Sequence, residues 1–351
     1  MKKLKFYALI LVTVLSVSFS SCDDDENQPK GKFEAGVFVV NEGNFQDANG
    51  TISHISPDDS ITQDLFGTVN NGLALGDVVQ SMSINGEFAY VVVNNSNKME
   101  VVNANTFEAE YTLKNVLLPR YFTTLDGIGY LTEWVSFSEP GRVAIIDLQN
   151  HVVTESITTD SGAENIIAHQ GKLYVSNNFS TTVSVIDPAG KQVIKTIEVG
   201  NSPGAFLVDS QNMLWVVCAG AYQADDGTLV QLDPAKSTDE TANSIVKTVE
   251  LNVNVSSKAA INKAKDKIFY YKGNSVYALN TSDTEAPASA LFTETQASSF
   301  YGIGIDPESD VLYMADSKSF AGNGTVYRYN LSGTAIDNFT AGVGPNSFVF
   351  K

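Results

Sequence analysis

The chain has 351 residues, of which 18% are charged, and its formal net charge is −18. A surface this acidic repels phosphate backbones and anionic headgroups, which argues against nucleic acid as a partner. Abundant Val, Thr, Ser, Asn, Gly and Tyr favour strands and turns, and no stretch of helical period stands out beyond the first twenty residues.

In chain order, the first element reads as an export signal. Lys2, Lys3 and Lys5 precede an apolar run from Phe6 to Val17, and small residues lead up to Cys22. The run is short for a transmembrane helix. The small residues before Cys22 resemble a bacterial lipobox, which implies a lipoprotein signal peptide over residues 1–21, with Cys22 acylated as the new N-terminus and residues 22–35 a lipidated tether; the alternative is an ordinary cleaved signal with an incidental cysteine. The run Asp23-Asp24-Asp25-Glu26 reads as a solvated tether, and it also resembles the surface-export signal of outer-membrane lipoproteins. Removing residues 1–21 takes away three lysines and no acid, so the formal charge becomes −21. Cys218 is then the remaining cysteine besides the lipid site, which leaves no intramolecular disulfide.

From Gly36 a single pattern recurs seven times: an apolar segment, a run led by an aromatic residue, a third run and a closing run. The leading aromatics are Phe38, Tyr90, Tyr130, Tyr174, Trp215, Phe269 and Tyr313, spaced roughly 40 to 54 residues apart, the period of one four-stranded propeller blade. The first unit lacks its opening segment, while the chain ends in a surplus Pro345-Asn346-Ser347-Phe348-Val349-Phe350. Lending that last strand to the first blade removes both open sheet edges. The expectation is an all-β, seven-bladed β-propeller over residues 36–351, closed by the C-terminal strand.

Chemistry-bearing residues are sparse. His54, His151 and His169 fall in a third strand and in turns, with none adjacent to another, so no clustered metal motif is present. Asp147, Asp187 and Asp233 end third strands, where a carboxylate starts a turn by accepting from nearby backbone. Glu42, Glu133 and Glu164 fall near the central channel, the place a calcium site of the lactonase kind would need. No strand-to-helix nucleophile elbow occurs. No catalytic residue, resident metal or cofactor is expected.

The loops between second and third strands and those between blades emerge on one face, around the channel mouth. Aromatics and amides alternate there with little charge; Arg120 and Lys318 are the basic residues that stand out. Each such aromatic also fits a packing role between blades, and each Asn a turn. The candidate ligand-binding residues are Asn41, Asn95, Arg120, Tyr121, Trp134, Phe179, Tyr222 and Tyr301. Aromatics offer area with few torsions to freeze and amides offer both donor and acceptor, which suits a large, rigid, neutral ligand.

At Val40-Asn41-Glu42-Gly43-Asn44-Phe45, Gly76-Asp77-Val78-Val79-Gln80-Ser81, Val93-Asn94-Asn95-Ser96-Asn97-Lys98 and Leu118-Pro119-Arg120-Tyr121-Phe122, the sequence resembles the YncE-like propeller lipoproteins of Bacteroidota. Within that family it is most similar to members that capture vitamin B12 and other corrinoids. The resemblance implies a surface-exposed, lipid-anchored outer-membrane protein that is not an enzyme. Its ligand would be cobalamin or another corrinoid, and its partner a TonB-dependent outer-membrane transporter of the BtuB type. The competing expectations are a propeller for another cargo, a siderophore or a glycan, and a calcium-dependent propeller lactonase or lyase.

Overall fold

The computed structural model describes residues 30–239 and 241–351; the signal segment, Cys22 and the acidic run lie outside them. Seven four-stranded antiparallel sheets form a ring, a seven-bladed β-propeller. Blade 1 orders as Pro345–Phe350, Val37–Asn41, Thr51–Ile55 and Ile61–Thr62, so the C-terminal strand is its inner strand. The remaining blades run in sequence. They begin with the inner strands Val79–Asn85, Pro119–Leu125, Ala163–His169, Pro203–Val208, Ala259–Ile261 and Phe300–Ile305.

The repeat exists because each blade must bury both faces of its second strand. All seven leading aromatics sit there and are at most 4% exposed. Neighbouring blades share their packing: Tyr90 stacks on Phe122 of the next blade at 4.3 Å between ring centroids, and Trp215 packs in one cluster with Ile268 and Tyr270. At the closure, Gly36 and Lys351 exchange backbone hydrogen bonds of 2.9 and 3.0 Å. Phe348 and Phe350 are half-buried, lying 5.5 and 5.3 Å from the Tyr313 ring, while Pro345 and Asn346 are fully buried. Lys30–Ala35, ahead of the first strand, packs against the ring through Phe33, which joins the cluster around Phe38 and Phe107.

One element departs from the sequence reading. Leu65–Val69 forms a short helix between blades 1 and 2, where Asp64 caps the Gly67 amide and Leu65 and Phe66 are buried. A single turn is too short to show a helical period, so its apolar residues resemble a strand. No helix among the described residues is long and apolar enough to cross a membrane.

Candidate functional site

The pairing of inner to second strands slips near the same end in six blades, at Gln80, Arg120–Tyr121, Glu164–Asn165, Gly204–Ala205, Tyr301 and Asn346. A bulge places an extra residue on one strand and re-aims its side chain. Counting three residues back from the inner-strand partner of each leading aromatic gives one column: Gln80, Arg120, Glu164, Gly204, Ser257, Tyr301 and Asn346. The next column includes Tyr121, Asn165, Ala205 and Lys258. The repeat thus delivers chemically different side chains to equivalent places around the channel. Gly204 is small for a local reason, since a Cβ there would stand 2.4 Å from the Ser257 carbonyl oxygen.

Except for Asn346, these residues line a cavity of about 660 Å³ at the channel mouth, together with Glu42, Phe45, Asn94, Trp134, Phe137, Asn178, Asn254, Tyr271, Lys272 and Phe300. Its base is polar. Arg120 clasps Glu164 through two hydrogen bonds, each 2.8 Å, and both residues are buried. The guanidinium also covers the Trp134 ring at 3.8 Å. Tyr301 donates its hydroxyl to Glu42 Oε2 at 2.7 Å. Lys258 Nζ donates to the carbonyls of Tyr301 and Asn346, both at 3.0 Å, and lies 4.4 Å from the centre of the Tyr301 ring. Burial pushes the Lys258 ammonium down to about 8, against the opposing pull of Glu42 and Glu164. Burial also raises Tyr121 to about 12 and holds the Tyr271 and Tyr301 hydroxyls above their ordinary range, so these phenols stay neutral.

The rim is aromatic on one side. Trp134, Phe137 and Phe179 form a cluster with ring centroids 4.6 to 5.9 Å apart, and Phe137 is 77% exposed. Trp134 Nε1 is buried with no hydrogen-bond partner.

Arg120, Tyr121, Trp134 and Tyr301, chosen from sequence, meet in this cavity. Phe179 stands at the rim against Trp134, and Tyr222 projects from the blade 5 loop, 90% exposed. Asn95 is turned to Asp77. Asn41 is fully buried and belongs to the framework: its amide group bonds Ser53 and accepts from the Gly342 amide, tying blade 1 to blade 7. Of the three glutamates placed near the channel, Glu42 and Glu164 line the cavity. Glu133 is buried against Arg142 and the Leu117 amide. Among the described residues no group of three or more His, Cys, Asp or Glu is arranged to hold a metal. His54 is buried with Nε2 3.0 Å from the Ala35 carbonyl oxygen, and the buried Cys218 thiol is pushed up to about 12, which leaves it inert.

The sequence reading anticipated Arg120 and Lys318 as the cations of this face. Lys258 and Lys272 line the cavity, and Lys318 does not. The missed residues were recoverable from the repeat column, because Lys258 occupies the position of Tyr121 and Asn165.

Residues 35–344 match the family described as a domain of unknown function, DUF5074. The chain belongs to that family. No curated protein matches it. Among solved structures this DUF5074 propeller is similar to a quinoprotein alcohol dehydrogenase-like protein from Bacteroides thetaiotaomicron, with 15% identity over 91% of this chain and 78% of that one and a TM-score of 0.70. It is similar also to a functionally unknown protein from Desulfotomaculum acetoxidans, with 11% identity over 90% and 98% and a TM-score of 0.62. A third similar structure is a putative 6-phosphogluconolactonase from Bacteroides fragilis, with 11% identity over 92% and 99% and a TM-score of 0.61. At these identities the likeness is one of fold.

Proposed function

We propose that this propeller is a non-enzymatic binding protein. It captures a corrinoid at the mouth of its channel and passes it to a TonB-dependent outer-membrane transporter, while lipid on Cys22 holds it at the cell surface. The observation that carries this reading is the cavity's composition. An aromatic wall of Trp134 and Phe137 faces amides from several blades, and the Arg120 and Glu164 charges are closed on each other. A broad macrocycle fringed with amide groups needs both flat apolar contact and paired donors and acceptors, and it brings little net charge. No histidine lines the cavity, so the ligand would be held by shape and amides without ligation of its cobalt.

Gln80, Arg120, Tyr121, Asn165 and Tyr301 are aimed by strand bulges fixed in folding, so little ordering cost remains for them on binding. The test is a calorimetric titration of the soluble domain with cyanocobalamin and with cobinamide, which lacks the lower base. Both are expected to bind, with an affinity that changes little between low and high salt. A folded domain that binds neither overturns the corrinoid assignment.

A further inference from the structure

Lys258 stands apart from the other cations of the cavity. Arg120 is closed by Glu164 and Lys272 reaches Asp225 at 3.8 Å, whereas no carboxylate lies within ion-pair distance of Lys258 among the described residues. Two of its three ammonium hydrogens go to neutral backbone carbonyls. The third has no oxygen partner, on a half-buried side chain that lines the cavity. A cation held this way is fixed in position by blades 7 and 1 with one donor that no protein oxygen takes, which is the condition of a preformed anchor.

We propose that Lys258 orients the cavity's ligand by donating its third hydrogen to a ligand oxygen, the carbonyl of an amide or a carboxylate. This rests on the cavity being the ligand site. Lys258 feels Glu42 from blade 1, Arg120 from blade 3 and Glu164 from blade 4 and lies over Tyr301 from blade 7, and it shares the cavity with Tyr121 from blade 3 and with Tyr271 and Lys272 from blade 6. The raised phenols do not titrate near neutral pH, so a change in ligand affinity across pH 7 to 9 reports Lys258.

The experiment follows the Lys258 resonance in protein labelled at the lysine ε-carbon, assigned by its loss in Lys258→Met. It is titrated with pH alone and then in the presence of cyanocobalamin, acetamide or acetate. The expected result is a titration midpoint near 8 that rises when cyanocobalamin binds. Lys258→Met should then lower affinity about ten- to a hundredfold at pH 7, the range of a hydrogen bond to a charged group. It should also flatten the pH dependence of binding.

If cyanocobalamin binds but leaves the midpoint unmoved, the anchor is wrong and the corrinoid reading stands. If it does not bind while acetamide or acetate moves the resonance saturably, the anchor stands and the corrinoid reading falls; which of the two acts tells a neutral from an anionic acceptor. No shift with any of the three overturns the proposal. Should Lys258→Met fail to fold, Lys258→Arg supplies the assignment and the wild-type resonance decides.

Discussion

Blades 3 and 6 face the same cavity with opposite materials. In blade 3, second and third strands are joined by residues 134–141, a loop long enough to carry Trp134 and Phe137 over the rim. In blade 6 the same connection is Gly273-Asn274, a two-residue hairpin that brings only the backbone of Gly273 to the lining, and the side chains of the wall come from Tyr271, Lys272 and the lead-in Ser257-Lys258. The inner strands differ in step: Pro119–Leu125 is bulged and long, and Ala259–Ile261 is only three residues. A propeller fixes where each wall stands, and loop length then decides whether it is an aromatic shelf or a polar rail.

The largest expected effect separates the walls by their dependence on closure. Deleting Pro345 to Lys351 removes Asn346, whose carbonyl receives Lys258 and whose amide reaches the Val79 and Gln80 carbonyls. It also strips the half-buried Phe348 and Phe350 from Tyr313; each full burial of such a side chain is worth roughly 1.5–3 kcal/mol, against a total stability of about 5–15 kcal/mol. Calorimetry should show the truncated protein unfolded or melting far lower. An unchanged melting temperature would mean that the shared strand does not close the ring.

Next in size is the base of the blade 3 wall. Arg120→Met leaves Glu164 buried without its partner and should cost about 3–5 kcal/mol in denaturant unfolding. Adding Glu164→Gln should recover most of that loss, since no lone charge is then left inside. A double variant as unstable as the single one would show that Arg120 acts through Trp134 and not through the ion pair.

The aromatic shelf itself is a matter of affinity. Trp134→Ala should weaken cyanocobalamin binding by at least ~2 kcal/mol, whereas Phe137→Ala, at the exposed edge, should cost under ~1 kcal/mol. Equal losses would erase the distinction between a wall and its rim. Trp215 is fully buried in the core, so in a Trp215→Phe background the remaining fluorescence among the described residues reports Trp134 alone.

These differences explain what was readable in advance. The ring was legible because a buried aromatic recurs in every second strand, and the closure because a strand is missing at one end and spare at the other. Arg120, Tyr121 and Tyr301 were legible because Pro119-Arg120-Tyr121-Phe122 and Ser299-Phe300-Tyr301 mark their bulges with bulky neighbours. Ser257-Lys258-Ala259-Ala260 has no such marker, and the short blade 6 strand hid its register. Asn41 misled for the opposite reason: an amide beside a turn looks free in sequence, and here both its ends are spent joining two blades. Tyr222 looks like a wall residue in sequence because nothing there gives the reach of its loop.

The smallest expected effect probes the polar rail without any ligand. Lys258 holds its proton up to about pH 8 in the folded protein and up to about 10.5 in the unfolded chain. Below pH 8 both states are protonated and the cost of the buried charge is constant. Between about pH 8 and 10.5 the unfolded chain binds more protons than the folded one, so stability attributable to this group rises with pH. Lys258→Met removes that slope, and comparing the two proteins cancels the titration of every other residue. The Lys258 side chain is partly exposed and lines an open cavity, where water screens part of this effect, so the change in the difference across this window should be only ~1 kcal/mol. The variant also loses the bonds to the Tyr301 and Asn346 carbonyls: below pH 8 that loss is a constant offset, and above it any weakening of those bonds on deprotonation is already contained in the folded-state titration of Lys258. Denaturant unfolding at pH 7, 8, 9 and 10 measures the tilt. A difference that stays flat would mean that water reaches Lys258 freely and that the blade 6 wall is no drier than open surface.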